Sequence, residues 1–146
     1  MSKLIGFTFL FLILTSNVQA QEIPEWVKNE YSLRNWLQSQ FHYQPYKSGR
    51  VECLRPEEVV KNRGGDCRDF ACLTNTILNS WTGYSSEVYG IFYKDKVGHS
   101  VCLFQRPDGK WYKFSNTDLI PLNVTTKEEA IKSLGGIRVK KLPCPQ

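Results

Sequence analysis

The chain is predicted to be an α+β protein in which helices come first and an antiparallel sheet follows. Three observations predict this class. Apolar side chains recur at helical spacing as far as Trp81; from Glu87 to Asn116 the pattern changes to runs rich in β-branched and aromatic residues; and short turn signals separate those runs.

A leader precedes these elements. Lys3 gives a positive start, Leu4 to Leu14 is apolar, and Val18-Gln19-Ala20 has the small-residue pattern of a signal-peptidase site. Residues 1–20 are therefore expected to be cleaved, leaving residues 21–146 as one exported domain, periplasmic or extracellular. The apolar run is too short for a membrane span and no later stretch qualifies, so no integral membrane segment is expected in the mature chain. Losing Lys3 takes the formal charge from +5 to +4, with no dense basic run. Diffuse charge of this kind gives no footprint for nucleic acid and only a minor case for an anionic surface.

Residues 24–41 are predicted to be helical, with Leu33, Trp36, Leu37 and Phe41 on one face. His42 to Leu54 reads as an irregular connection, in which His42 is a loop residue. Pro56-Glu57-Glu58 opens a second short helix, with proline at the first position and acids in the first turn, and Asn62 to Gly65 stops it. The third helix is the most strongly patterned: Cys67, Phe70, Ala71, Thr74, Ile77, Leu78 and Trp81 form a continuous stripe. Asp66 is its expected N-cap, with Asp69 as the acidic partner three residues on. Strands are predicted at Glu87–Tyr93, Val97–Gln105 and Lys110–Asn116. Thr126 with Glu129 resembles a capping box for a last helix to Leu134, and Ile137 to Leu142 reads as an edge strand.

Chemistry concentrates at Cys67. A cysteine at a helix N-terminus sits near unsatisfied N–H groups and a partial positive charge, which favour the thiolate and lower the pKa. Asp66 opposes this effect, and Arg68 with a protonated His99 would offset it. If Asp108-Gly109 makes a two-residue turn, His99 lies opposite Asp118, Val101 opposite Asn116 and Leu103 opposite Phe114. His99, Asn116 and Asp118 then share a face, while a one-residue change in turn length brings Ser115 there instead. Cys67 is thus a candidate nucleophile and His99 its base, with Asn116, or alternatively Asp118, orienting the ring. Backbone N–H groups at the helix start are candidate oxyanion donors, with Gln44 a weaker one.

Gly64-Gly65-Asp66-Cys67-Arg68-Asp69-Phe70-Ala71, then Gly98-His99, then Trp111 to Asn116 after an Asp-Gly turn, together resemble the transglutaminase-like superfamily. Small bacterial transglutaminase-like cysteine peptidases are the nearest likeness, over roughly Tyr43 to Asp118. The resemblance implies a papain-like α+β fold, with the nucleophile helix packed on an antiparallel sheet. It also implies a Cys-His-Asp or Cys-His-Asn triad, carried onto Cys67 and His99. The third position departs from the pattern, because Ser115-Asn116 stands where the family often has aspartate.

The expected function is a secreted cysteine-dependent acyl-transfer enzyme acting on a peptide or protein amide through a thioester, with no metal or organic cofactor required. The alternative is a disulfide-stabilised, catalytically inactive binding module on the same fold. Five cysteines leave one over when paired. With Cys67 free, Cys53–Cys72 and Cys102–Cys144 are the expected disulfides, since Cys72 and Cys102 face away from the proposed site. The chain has no Cys-x-x-Cys or paired-His spacing, which argues against a zinc site.

Overall fold

Asn29 sets the first boundary. Its side chain accepts hydrogen bonds from the N–H groups of Tyr31 and Ser32, so α1 spans Glu30–Gln40 and not the longer stretch predicted from Pro24. In the computed structural model, residues 23–45, 50, 52–94 and 96–145 are described; the predicted leader, residues 1–20, lies outside them. The predicted face of α1 is buried, with Leu33 and Leu37 at 0 % exposure and Trp36 at 1 %.

The supposed loop after α1 contains a short strand, β1 (His42–Tyr43). After α2 (Pro56–Asn62), β1 pairs in parallel with β2 (Gly64–Gly65). The approach is close: a Cβ added at Gly65 would lie 2.5 Å from Asp69 Cβ, so no side chain fits there without displacing the helix start. The helix that follows, α3 (Cys67–Asn79), buries Phe70, Ala71, Thr74, Ile77 and Leu78 as predicted. It buries Cys72 and Leu73 as well, since its flank is also covered. Burying each large apolar side chain is worth about 1.5–3 kcal/mol, so α3 anchors the core.

The sheet contains β3 (Ser85–Tyr93), β4 (Lys96–Gln105), β5 (Trp111–Ser115), β6 (Asp118–Leu122) and β7 (Arg138–Leu142) in the order β6-β5-β4-β3-β7. All four pairings are antiparallel. α4 (Lys127–Lys132) is capped by Thr126 and Glu129, as predicted. One face of the sheet, with Val88, Cys102, Phe104, Tyr112 and Phe114, packs under α1, α2 and α3. The other, with Tyr89, Ile91, Val101, Leu103 and Trp111, packs on Ala130 and Leu134.

The β4–β5 register differs by one residue from the expected one. Leu103 pairs with Lys113 and Cys102 with Phe114. The cause is the turn. Gly109 N–H bonds Arg106 O at 2.9 Å and Arg106 N–H bonds Lys110 O at 3.0 Å, so Pro107-Asp108-Gly109 forms a three-residue connection. Gly109, at φ +83, supplies the left-handed residue that this loop requires.

Glu30 is a buried acid that joins the helices to the sheet. It accepts a hydrogen bond from the Tyr84 hydroxyl at 2.6 Å and lies 3.0 Å from the Arg106 guanidinium. Burial, together with the bond to Glu30, pushes the Tyr84 phenol up to about 12.

Candidate active site

The Gly-Gly-Asp-Cys-Arg-Asp block builds a rigid helix start. Asp66 Oδ1 accepts from Arg68 N–H at 2.9 Å and from Asp69 N–H at 3.2 Å, and Asp69 Oδ2 accepts from Asp66 N–H at 2.8 Å. This is the predicted capping box. Asp69, at 0 % exposure, also accepts from Leu54 N–H at 2.8 Å. The Arg50 guanidinium bridges both carboxylates, at 2.8 Å from Asp69, and Arg68 lies 3.6 Å from Asp66. Two cations therefore offset the two acids beside Cys67, and the sequence pattern indicated only one of them.

Cys67 occupies the first position of α3, half-buried. Burial pushes its thiol above the ordinary value; the Ser100 backbone N–H and hydroxyl pull the other way, Asp66 adds to the rise and Arg68 opposes it. The expected low thiol pKa is thus corrected: desolvation outweighs the lowering by Ser100 and Arg68. The helix-start donors are largely engaged, because Asp66 takes the Arg68 and Asp69 N–H groups. The Cys67 N–H has no hydrogen-bond partner among the described residues.

His99 stands opposite Ile91 and Ser100 opposite Gly90, so Ser100 lies on the face that α3 covers and His99 on the other. His99 Nε2 lies 2.8 Å from Ser115 Oγ. Burial first, and then the charge of Lys113, lower its imidazole below the ordinary value. No hydrogen bond joins His99 to Cys67 among the described residues, and Nδ1 is the ring nitrogen that Ser115 leaves unengaged.

Neither predicted third residue bonds His99. Asn116 takes a left-handed turn conformation, φ 54, between β5 and β6, and its buried Oδ1 has no hydrogen-bond partner among the described residues. Asp118 pairs with Ser115 and accepts from Gln38 Nε2 at 3.2 Å, which ties β6 to α1. The one-residue register shift brings Ser115 to the ring instead. Pro107 ahead of Asp108-Gly109 was the signal for it, because proline favours the second position of a type I turn.

Two further residues flank the site. Gln44 Nε2 lies 2.9 Å from His42 Nε2, so His42 orients the amide and is more than a loop residue. The Tyr43 phenol is raised by partial burial and by the charges of Cys67 and Asp66. Ser115→Asp is expected to raise the His99 pKa, since a carboxylate stabilises imidazolium where a hydroxyl does not. An NMR titration of the ring in both forms checks the direction.

Residues 13–125 match the family model described as Transglutaminase-like domain, and the chain belongs to that family. Comparison with curated proteins finds no match. Among solved structures, Legionella pneumophila LapG is similar at 18 % identity and a TM-score of 0.49, covering 70 % of this chain and 60 % of that one. The chain thus spans about 60 % of that protein's length. The EGTA-treated form of LapG gives 17 % identity and 0.49, over 73 % and 61 % of the two chains. Its calcium-bound form gives 15 % and 0.43, over 80 % and 83 %.

Two expected disulfides are corrected. Cys72 is bonded to Cys144, while Cys53, Cys67 and Cys102 are free. Cys102 packs in the core beside Thr74 and Ser86, with burial pushing its thiol up to about 12. The alternation that turns it away from His99 also turns it under α3, into the core.

Proposed function

We propose that this protein is a cysteine-dependent acyl-transfer enzyme, with Cys67 as nucleophile and His99 as its base. The observation that carries this reading is the position of Cys67 at the start of α3, the helix that packs on the strand bearing His99. Ser100, which follows His99 in β4, lowers the thiol pKa, and Ser115 engages His99 through Nε2. With Ser115 accepting from Nε2–H, Nδ1 keeps its lone pair. Because His99 lies on the sheet face away from α3, base action in this reading requires ring and thiol to be drawn together when substrate binds.

The chemistry follows in balanced steps. Cys67 Sγ bonds to the amide carbonyl as its proton passes to His99 Nδ1. The oxyanion is met by the Cys67 N–H and by the second amide N–H of Gln44. The C–N bond then breaks, His99 returns the proton to the leaving amine, and a thioester remains on Cys67. Water or a second amine displaces it, giving hydrolysis or transamidation.

Both groups rest neutral at pH 7: the thiol is raised and the imidazole lowered. Proton transfer thus accompanies attack, with no preformed ion pair. A peptide or protein amide is the proposed substrate class. The leader pattern and the Cys72–Cys144 disulfide support export to an oxidising compartment. Among the described residues no helix is long and apolar enough to cross a membrane.

The raised thiol and the hydroxyl in place of a carboxylate also suit the alternative, an inactive binding module. Incubation with an activated acyl ester, read by intact mass and peptide mapping, separates the two. A stoichiometric acyl adduct on Cys67, discharged by water or by added amine, is expected. Absence of an adduct while the ester survives would identify the binding module.

A further inference from the structure

A second thiol centre lies on the flank of α3, away from His99. Cys53, Cys72 and Cys144 have their sulfur atoms within 4.8 Å of one another. Cys72 is disulfide-bonded to Cys144, and the free Cys53 sulfur lies 3.1 Å from that of Cys72. All three line a cavity of about 310 Å³, together with Glu52, Arg68 and Leu142. A free thiol in contact with one sulfur of a disulfide is the arrangement from which exchange begins.

We propose that Cys53, Cys72 and Cys144 form a thiol–disulfide exchange centre, in which the crosslink on α3 passes between Cys144 and Cys53. Cys53 gives its proton to solvent, and the thiolate attacks Cys72 Sγ. The Cys53–Cys72 bond forms as the Cys72–Cys144 bond breaks, and Cys144 leaves as a thiolate that takes up a proton. One disulfide is exchanged for another, with no net oxidation and no external oxidant.

The two forms tie different parts of the fold to one residue. Cys144 lies just beyond β7, so the Cys72–Cys144 bond staples the sheet edge to α3 across a sequence separation of 72. Cys53 adjoins Leu54, whose N–H donates to Asp69 in the capping box beside Cys67. The Cys53–Cys72 bond would tie that contact to α3 and release β7. Exchange thus passes the staple from the sheet edge to the helix start that carries Cys67. Three thiolates at this spacing would also suit a soft metal ion, but two of the sulfurs are joined and carry no thiolate.

Non-reduced protein is incubated, acid-quenched at intervals, alkylated and mapped by proteolysis and mass spectrometry. The expected result is growth of a Cys53–Cys72 linked peptide, with alkylation lost at Cys53 and gained at Cys144, at one disulfide per chain. Cys53→Ser should hold the Cys72–Cys144 linkage alone, and oxidised Cys144→Ser should form Cys53–Cys72. Constant alkylation of Cys53 beside an unchanging Cys72–Cys144 bond would overturn the proposal. So would three free thiols holding zinc. If Cys144→Ser fails to fold, the time course on the unmodified sequence decides.

Discussion

Cys67→Ala is expected to abolish turnover of an amide substrate, by at least about 10³-fold. The loss is large because the nucleophile and its base act as a unit, leaving only binding and oxyanion donors when either is removed. The fold should be unaffected, since Cys67 is only half-buried and its thiol anchors no part of the core. The check is kcat of the variant beside its circular dichroism and denaturation midpoint. Full activity in a folded Cys67→Ala protein would remove the cysteine from the chemistry.

Asp69→Ala is expected to be the most destabilising change at the site. Its carboxylate is fully buried and accepts from Asp66 N–H, Leu54 N–H and Arg50. Its removal leaves two backbone donors unsatisfied and Arg50 with one carboxylate instead of two. Each orphaned buried donor costs about 1–3 kcal/mol, and breaking a buried ion pair costs about 3–5 kcal/mol. Because Arg50 is partly exposed and keeps Asp66, most of the loss comes from the two orphaned donors, about 2–6 kcal/mol, a large fraction of the roughly 5–15 kcal/mol that holds a domain folded. Denaturant titration reads it as a fall in midpoint, and Asp69→Asn, which keeps one acceptor, should recover part.

These two variants separate the roles within one short motif. Cys67 carries the proposed chemistry, while Gly65, Asp66 and Asp69 hold it in place. That division was legible in the sequence because helix caps are local: Asp66 and Asp69 act on neighbours within three residues. The apolar stripe of α3 was legible for the same reason.

Features set by distant pairing were harder to read. The partner of His99 depended on whether the connection at Pro107-Asp108-Gly109 held two residues or three, and one residue exchanges every side chain between the faces. β6 is not legible in the sequence because Pro121 interrupts its pattern, which an edge strand tolerates. Arg50 lies in a stretch without periodicity, and its two carboxylates are visible only once the chain has folded back. The spacing of Cys72 off the core stripe was readable, and so was its proximity to Cys53; the bond to Cys144 depended on where β7 ends.

The most direct test of the central claim is the pH profile of alkylation at Cys67, located by peptide mapping, in the unaltered protein and in His99→Ala. A raised thiol predicts an inflection above the ordinary cysteine value, the opposite of a preformed ion pair. Base assistance predicts that His99→Ala slows labelling at pH 7 by about 10²-fold or more. Equal rates in the two proteins across the range would contradict the account, since His99 would then take no part in activating Cys67.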